Sequence, residues 1–276
     1  MSKRRKRLLW LAALLLLLAC TVAGQQRLQV SEYDCPVAGL PAGFENFRIL
    51  QLSDLHGARF GRQNERLLRT VAKQRPDMIV LTGDFIEELE DLEVTAELLP
   101  QLAGLAPCYF VSGNHEWACG GMAVLAEQLR SAGVRYLANE YTLLSRDGES
   151  LLLCGVEDPN SWADLITPEK LVAQAQLEYP GLPIVLLGHR NYWVERYPAL
   201  PVELIFCGHG HGGAIRIPGV GGLLGTERLL FPEFEDGVHA SGSYHMVVSR
   251  GLGRIYGLPR IFNKPEIVVG TLKKEA

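Results

Sequence analysis

The apolar positions of this chain fall into short unbroken runs, and the way those runs end is its most informative pattern. The run at 108–111 (Cys-Tyr-Phe-Val) has the length of a buried strand and stops close to a glycine, beyond which stand Asn114, His115 and Glu116. Four more runs end in the same manner. Residues 47–53 lead into Asp54 and His56, 78–82 into Gly83 and Asp84, 183–187 into Gly188 and His189, and 202–207 into Gly208, His209, Gly210 and His211.

Between these runs the spacing becomes helical. Leu67, Leu68, Val71 and Ala72 predict a helix over 62–75, an acidic stretch at 87–93 leads into a second ending near 103, and Gly120 and Gly121 open a third through 129. Thr167 before Pro168 predicts the cap and first turn of a helix through about 177. Arg146-Asp-Gly148 between apolar stretches predicts a hairpin. Two further strands are expected at 243–249 and 266–272 in a glycine-rich C-terminal region, and residues 25–45, with Pro36, Gly39, Pro41 and Gly43, are expected to be a connector. Near-continuous apolar strands alternating with helices mean an α/β fold whose sheets are covered by helices. No internal repeat or boundary interrupts residues 45–276, so 28–276 is expected to be one domain.

The N-terminus differs from all this. Five consecutive cations, Lys3-Arg-Arg-Lys-Arg7, precede an uncharged apolar run over 8–23. As a helix at about 1.5 Å per residue the run is roughly 24 Å long, near the short limit for spanning a bilayer. The basic cluster favours the cytoplasmic side, which sends the rest across the membrane. Residues 1–27 are therefore expected to be an uncleaved membrane anchor with the domain extracytoplasmic. Arg4-Arg5 also permits a twin-arginine export signal, and Leu17-Leu-Ala-Cys20 loosely resembles a lipoprotein cleavage site, so cleavage and lipidation remain alternatives.

Composition narrows the function classes. The chain has 276 residues, a net charge of −4 and 21% charged residues, enough length for a real core and no basic footprint for a nucleic-acid partner. The six cysteines do not form a disulfide framework. Cys108, Cys154 and Cys207 sit inside strand-like runs as small hydrophobes, Cys20 belongs to the anchor, and Cys35 and Cys119 are the two whose pairing an oxidising compartment would allow.

The polar residues at the strand ends carry the chemistry. In α/β sheets, sites form outside the carboxyl ends of strands, so Asp54, His56, Asp84, Asn114, His115, His189, His209 and His211 can converge although distant in sequence. Five of the seven histidines fall in these segments. Carboxylate, amide and imidazole together suit borderline divalent metals such as Mn, Fe or Zn. The ligands are too many for one ion and enough for two. Two ions about 3.5–4 Å apart clamp the attacking and leaving oxygens of a displacement at phosphorus, and Asp84 is a carboxylate able to bridge them.

The ordered blocks Asp-x-His, Gly-Asp, Gly-Asn-His-Glu, Gly-His and Gly-His-x-His resemble the calcineurin-like metallophosphoesterase family over nearly all of 45–272. The ending Gly208-His-Gly-His-Gly-Gly-Ala-Ile-Arg-Ile-Pro218, with Ser249-Arg-Gly-Leu-Gly253 and Phe262-Asn263, is similar to a branch of small bacterial membrane-associated phosphoesterases. The resemblance implies a four-layer α/β/β/α sandwich of two mixed sheets. It implies that Asp54, His56 and His211 hold a first metal and Asn114, His189 and His209 a second, with Asp84 bridging. His115 would be a non-ligand catalytic histidine that stabilises the transition state or protonates the leaving oxygen. The substrate implied is a phosphomonoester or phosphodiester, with a lipid-linked or cell-envelope compound favoured by the anchor. Two departures concern substrate contacts: His189-Arg190-Asn191 stands where many relatives have His-Asn-Pro, and Ala214 where they have glutamine. His239 and His245 match no block and are expected to be structural or on the surface. Arg250 suits a phosphate contact or a structural ion pair. The alternative from another class is a non-catalytic scaffold of the same fold, free to lose ligands, which this chain has not done.

Overall fold

A computed structural model describes residues 2–12, 27–161, 166–213, 215–226, 229–254 and 260–275. Two six-stranded mixed sheets carry the architecture. The first holds β1 (Gln29–Val37), β2 (Arg48–Leu52), β3 (Met78–Thr82), β4 (Cys108–Val111), β5 (Arg135–Tyr136) and the C-terminal β14 (Glu266–Lys274), in the order β1-β14-β2-β3-β4-β5. The second holds β6 (Glu140–Arg146), β7 (Glu149–Gly155), β8 (Ile184–Leu187), β9 (Leu204–Cys207), β12 (Gly237–Ala240) and β13 (His245–Val248), in the order β12-β13-β9-β8-β7-β6. A two-stranded ribbon, β10 (Arg216–Ile217) with β11 (Gly221–Gly222), stands apart.

Strand alternation divides the interior into three apolar layers. On β3, Met78 and Val80 face the layer between the sheets while Ile79 and Leu81 face outward; on β9, Leu204 and Phe206 face inward while Ile205 and Cys207 face outward. Helices α1 (Glu65–Lys73), α2 (Leu92–Ala103) and α4 (Met122–Ala132) cover the first sheet through Leu67, Val71, Leu98, Leu102, Leu125 and Leu129. Helix α5 (Pro168–Glu178) covers the second through Leu171, Val172 and Ala175, joined by Trp193 of α6 (Trp193–Arg196). The result is the α/β/β/α sandwich. Helix α5 begins as its capping sequence requires, with the Thr167 side chain accepting a hydrogen bond from the Lys170 amide.

One expectation needs correction, one strand had no signal, and one open pairing does not form. The 25–45 connector contains a nine-residue strand, β1, paired in parallel with β14. Pro36 looked like connector punctuation, but β1 is an edge strand, where a missing N–H is tolerated. Strand β12 arises in a stretch whose glycines disguise it, again at an edge. Cys35 and Cys119 are both free: Cys35 is buried between the sheets, whereas Cys119 packs against the outer layer under the first sheet's helices. Residues 3–12 are helical and exposed, and among the described residues no helix is long and apolar enough to cross a membrane. Most of the apolar run, together with Cys20, lies outside the described residues.

The inter-sheet layer is tightest where Gly270 of β14 faces Phe206 of β9: a Cβ on Gly270 would stand 2.7 Å from the Phe206 ring. Phe206→Ala is expected to destabilise the fold by about 3–5 kcal/mol in urea unfolding. Gly270→Ala, which overpacks the layer, should do so by about 1–3 kcal/mol. The double variant should lose clearly less than the sum, because the new methyl enters the vacated space.

Candidate metal centre

Five strand ends, of β2, β3, β4, β8 and β9, meet at one edge of the sandwich. The chain leaves them by sharp turns: Asp54, His56, Asp84, His209 and His211 have φ of 52°, 44°, 55°, 68° and 55°. Such left-handed conformations cost non-glycine residues of order 1–3 kcal/mol each and persist only where the surroundings fix them. Here the turns are sewn together. The Asp54 amide donates to Gly83 O at 2.9 Å, the His56 amide to Asp84 O at 3.0 Å, and the His209 amide to Asp54 Oδ1 at 3.0 Å. Gly83 is at φ 79°, and a Cβ there would come 2.5 Å from the Gly113 nitrogen, so the β3 and β4 turns are in backbone contact.

The fourth block is not a plain turn. Asn114 and His115 open a short helix, α3 (Asn114–Ala118), capped by Gly113. Glu116, which the sequence reading left without a role, clamps the site from below. Its carboxylate accepts hydrogen bonds from the amides of Gly113 (2.7 Å), Asp84 (3.0 Å), Phe85 (2.6 Å) and Ile86 (3.3 Å). Asp84 in turn spends Oδ1 on the His115 amide at 2.8 Å, which directs Oδ2 into the cleft.

The donor atoms fall into two groups around Asp84. In the first, Asp54 Oδ1 lies 3.4 Å from His211 Nε2, His211 Nε2 lies 3.1 Å from His56 Nε2, and His56 Nε2 lies 3.9 Å from Asp84 Oδ2. In the second, His189 Nε2 lies 3.0 Å from Asp84 Oδ2, 3.2 Å from Asn114 Oδ1 and 3.2 Å from His209 Nδ1. Ligands about 2.0–2.2 Å from a tetrahedral ion stand roughly 3.3 Å apart, so these spacings fit metal coordination. Asp54, His56 and His211 form one compact group of possible ligands, and Asp84, His189 and His209 another.

Hydrogen bonding and burial prepare the rings. His189 Nδ1 donates to Thr82 O at 2.9 Å, leaving Nε2 to face the cleft. Burial pushes His56 down to about 4, and burial with neighbouring positive charge holds His209 and His211 well below the usual imidazole range, which keeps the rings neutral as metal binding requires. Burial opposes the charges of Asp84 and His189, but their mutual attraction outweighs it: the carboxylate is held low and the imidazole high. Burial pushes Asp54 up to about 6 and, with the Asp84 charge, Glu116 up to about 7. His56 Nδ1 is buried with no hydrogen-bond partner, although Glu87 Oε2 is 3.5 Å away. The donor set fits two divalent ions.

All eight predicted residues are together. His115 stands at the mouth with its side chain 31% exposed, its ring edge-on to His56 and its Nε2 4.0 Å from Asp84 Oδ2. That position also groups it geometrically with His56 and Asp84. The cleft of about 220 Å³ is also lined by Arg190, Arg254, Glu87 and Thr226. Arg190 is held by Asp158 through two hydrogen bonds, Nε at 2.5 Å and Nη2 at 3.1 Å, and its Nη1 reaches 3.4 Å from His209 Nε2. Arg260 and Asn263 fix the His211 backbone, each donating to its carbonyl, at 3.4 and 2.7 Å. Glu116 and Arg190 adjoin predicted site residues and could have been flagged by position; Asp158 and Arg260 carry no local signal. Arg250 resolves to an ion pair with Glu266 at 2.6 Å, His239 hydrogen-bonds the Asp236 carbonyl away from the cleft, and Ala214 lies outside the described residues. A larger groove of about 920 Å³ holds none of the eight residues, so the smaller cleft is the site.

Comparison with known proteins agrees with this geometry. The calcineurin-like phosphoesterase family matches residues 47–213. Phosphodiesterase YaeI of Escherichia coli is 32% identical over 81% of this chain and 81% of its own, and the uncharacterized metallophosphoesterase YkuE of Bacillus subtilis is 30% identical over 89% and 86%. UDP-2,3-diacylglucosamine pyrophosphatase LpxG of Chlamydia muridarum is 25% identical over 83% of this chain and 84% of its own. With five strand ends delivering the donors of a dimetal centre and the family matched across them, the chain belongs to the calcineurin-like phosphoesterases.

Proposed function

We propose that this protein hydrolyses a phosphodiester, with residues 28–276 as the catalytic domain and residues 1–27 holding it at a membrane on the extracytoplasmic side. The observation that carries the reading is the convergence of the two donor groups on Asp84 Oδ2. Asp54, His56 and His211 would hold one divalent ion and Asn114, His189 and His209 the other, with Asp84 common to both. When bound, the ions supply Lewis acidity at the phosphoryl oxygens and acidify water to a nucleophile near neutral pH.

The remaining work falls to the chain. His115, at the open side, is placed to hydrogen-bond a phosphoryl oxygen or to give its proton to the leaving oxygen. Arg190, braced by Asp158, and Arg254 present guanidinium groups to a phosphate entering the cleft. Glu116 holds the Asp84 and Asn114 turns in one register, so it positions ligands without touching substrate. A diester is favoured by the relative named a phosphodiesterase. A membrane setting is supported by the basic-then-apolar N-terminus and by a relative named for a diacylated sugar nucleotide. Mn, Fe and Zn all suit the donor set.

Full-length protein stripped with chelator should lose hydrolysis of bis-p-nitrophenyl phosphate and regain it with Mn²⁺; Asn114→Ala with His209→Ala should show none after reloading. Two ions bound with no turnover on any phosphodiester offered would overturn the enzyme reading. His115→Ala should bind metal normally in calorimetry while kcat falls about 10²–10⁴-fold. Glu116→Gln, which turns an amide N–H₂ toward backbone donors, should weaken Mn²⁺ affinity by about 10–100-fold.

A further inference from the structure

The larger groove adjoins the metal centre without belonging to it. Its volume, about 920 Å³, lies in the range of about 300–1,000 Å³ typical of ligand pockets. Its wall includes Arg260 and Asn263, the two residues that fix His211, so groove and cleft are separated by one ligand's backbone. Arg216, Glu233, Glu235, Asp236 and Lys264 contribute charge to its wall, and exposed apolar side chains crowd its rim. Ile217, Val220, Phe231 and Phe262 are 38%, 65%, 56% and 63% exposed. Single exposed apolar side chains are ordinary, but a set contributed by separate loops to one concavity marks a binding surface. Phe231 and Phe262 are also at φ 52° and 54°, where a bulky residue is an outlier. The fold thus holds two aromatic rings in solvent against local backbone preference, the kind of strain that accompanies function.

The topology says what this rim faces. Strand β1 runs parallel to β14, and β14 runs antiparallel to β2. Gln29 pairs with Glu266 at the start of β1, which places it at the same sheet edge as Asp54 at the end of β2. Gln29 itself lines the groove. The apolar run over 8–23 ends only a few residues upstream, so the chain enters the domain at the groove. A segment embedded in a bilayer would hold the rim and the mouth of the metal centre toward that bilayer.

We infer that the groove seats the hydrocarbon tail of a membrane lipid whose phosphate ester lies at the metal centre. This rests on the phosphoesterase reading for the fate of the phosphate, whereas tail binding rests on the groove. Full-length protein reconstituted in phosphatidylcholine vesicles containing phosphatidylglycerol with a diazirine on its acyl chain tests the two apart. Photolysis and peptide mapping should place label on segments 215–226 and 229–231 and on Phe262, besides the N-terminal run. Phe231→Asp with Phe262→Asp, substitutions that the left-handed backbone accepts, should lower labelling of those segments at least tenfold. Label on the N-terminal run and hydrolysis of the tailless bis-p-nitrophenyl phosphate should be unchanged, which shows that the variant is folded and loaded. Label confined to the N-terminal run, or groove label that the double variant does not diminish, would overturn the inference. So would self-association of the wild type that the variant abolishes without any groove label, which would assign the surface to a second copy. Groove label in a wild type that hydrolyses no phosphate ester would leave tail binding standing and sink the catalytic reading alone.

Discussion

The site depends on one constraint: the Asp84 carboxylate must present a single oxygen to two sets of ligands at once. Nothing in an isolated aspartate does this. Its backbone is forced into a left-handed turn, its Oδ1 is occupied by the His115 amide, and its own amide is tied to Glu116. Glu116 reaches it from α3, so β3 and β4 are locked together by a carboxylate that never enters the cleft. The buried negative charge is compensated by His189, and in the loaded protein metal would take over that role. Around this one oxygen the other turns are fixed by backbone hydrogen bonds, which is why five strands from two sheets can agree on a site.

Much of this was legible in the chain. Strands β3 and β4 stand within the residues their apolar runs marked, because parallel strands buried on both faces have no polar positions to blur them. The donors were legible for the same reason: Asp84, His189 and His209 are the first polar groups after continuous apolar runs. What stayed hidden was set by tertiary context. Pro36 argued against a strand until its position at a sheet edge removed the objection. Glu116 lay inside a recognised block, yet its hydrogen bonds span 30–32 residues to Asp84, Phe85 and Ile86. Arg260 approaches His211 from a segment 49 residues away with no periodicity to mark it. Cys35 and Cys119 were only free to pair in an oxidising compartment, and the sheet between them keeps them apart.

The two concavities differ in their chemistry. The cleft is lined mainly by imidazole, carboxylate and guanidinium groups. The groove combines aliphatic and aromatic side chains and the glycines of the β10–β11 ribbon with charged residues, among them Arg216, Glu235 and Asp236, a surface suited to recognition by shape and apolar area as well as by charge. Were the groove to take part of a substrate, phosphate chemistry and substrate choice could vary separately, because its lining includes none of the eight residues of the metal centre.

The pairing of β1 with β14 also bears on how the chain is made. Ser31 and Glu266 are 235 residues apart and joined by a side-chain hydrogen bond, and among the described residues β1 pairs with β14 alone. During synthesis β1 emerges early and stays unpaired until β14, the last described strand, follows it, a closure of very high contact order. Completion of the first sheet thus waits on β14, whose Glu266 lies 235 residues beyond the serine it binds.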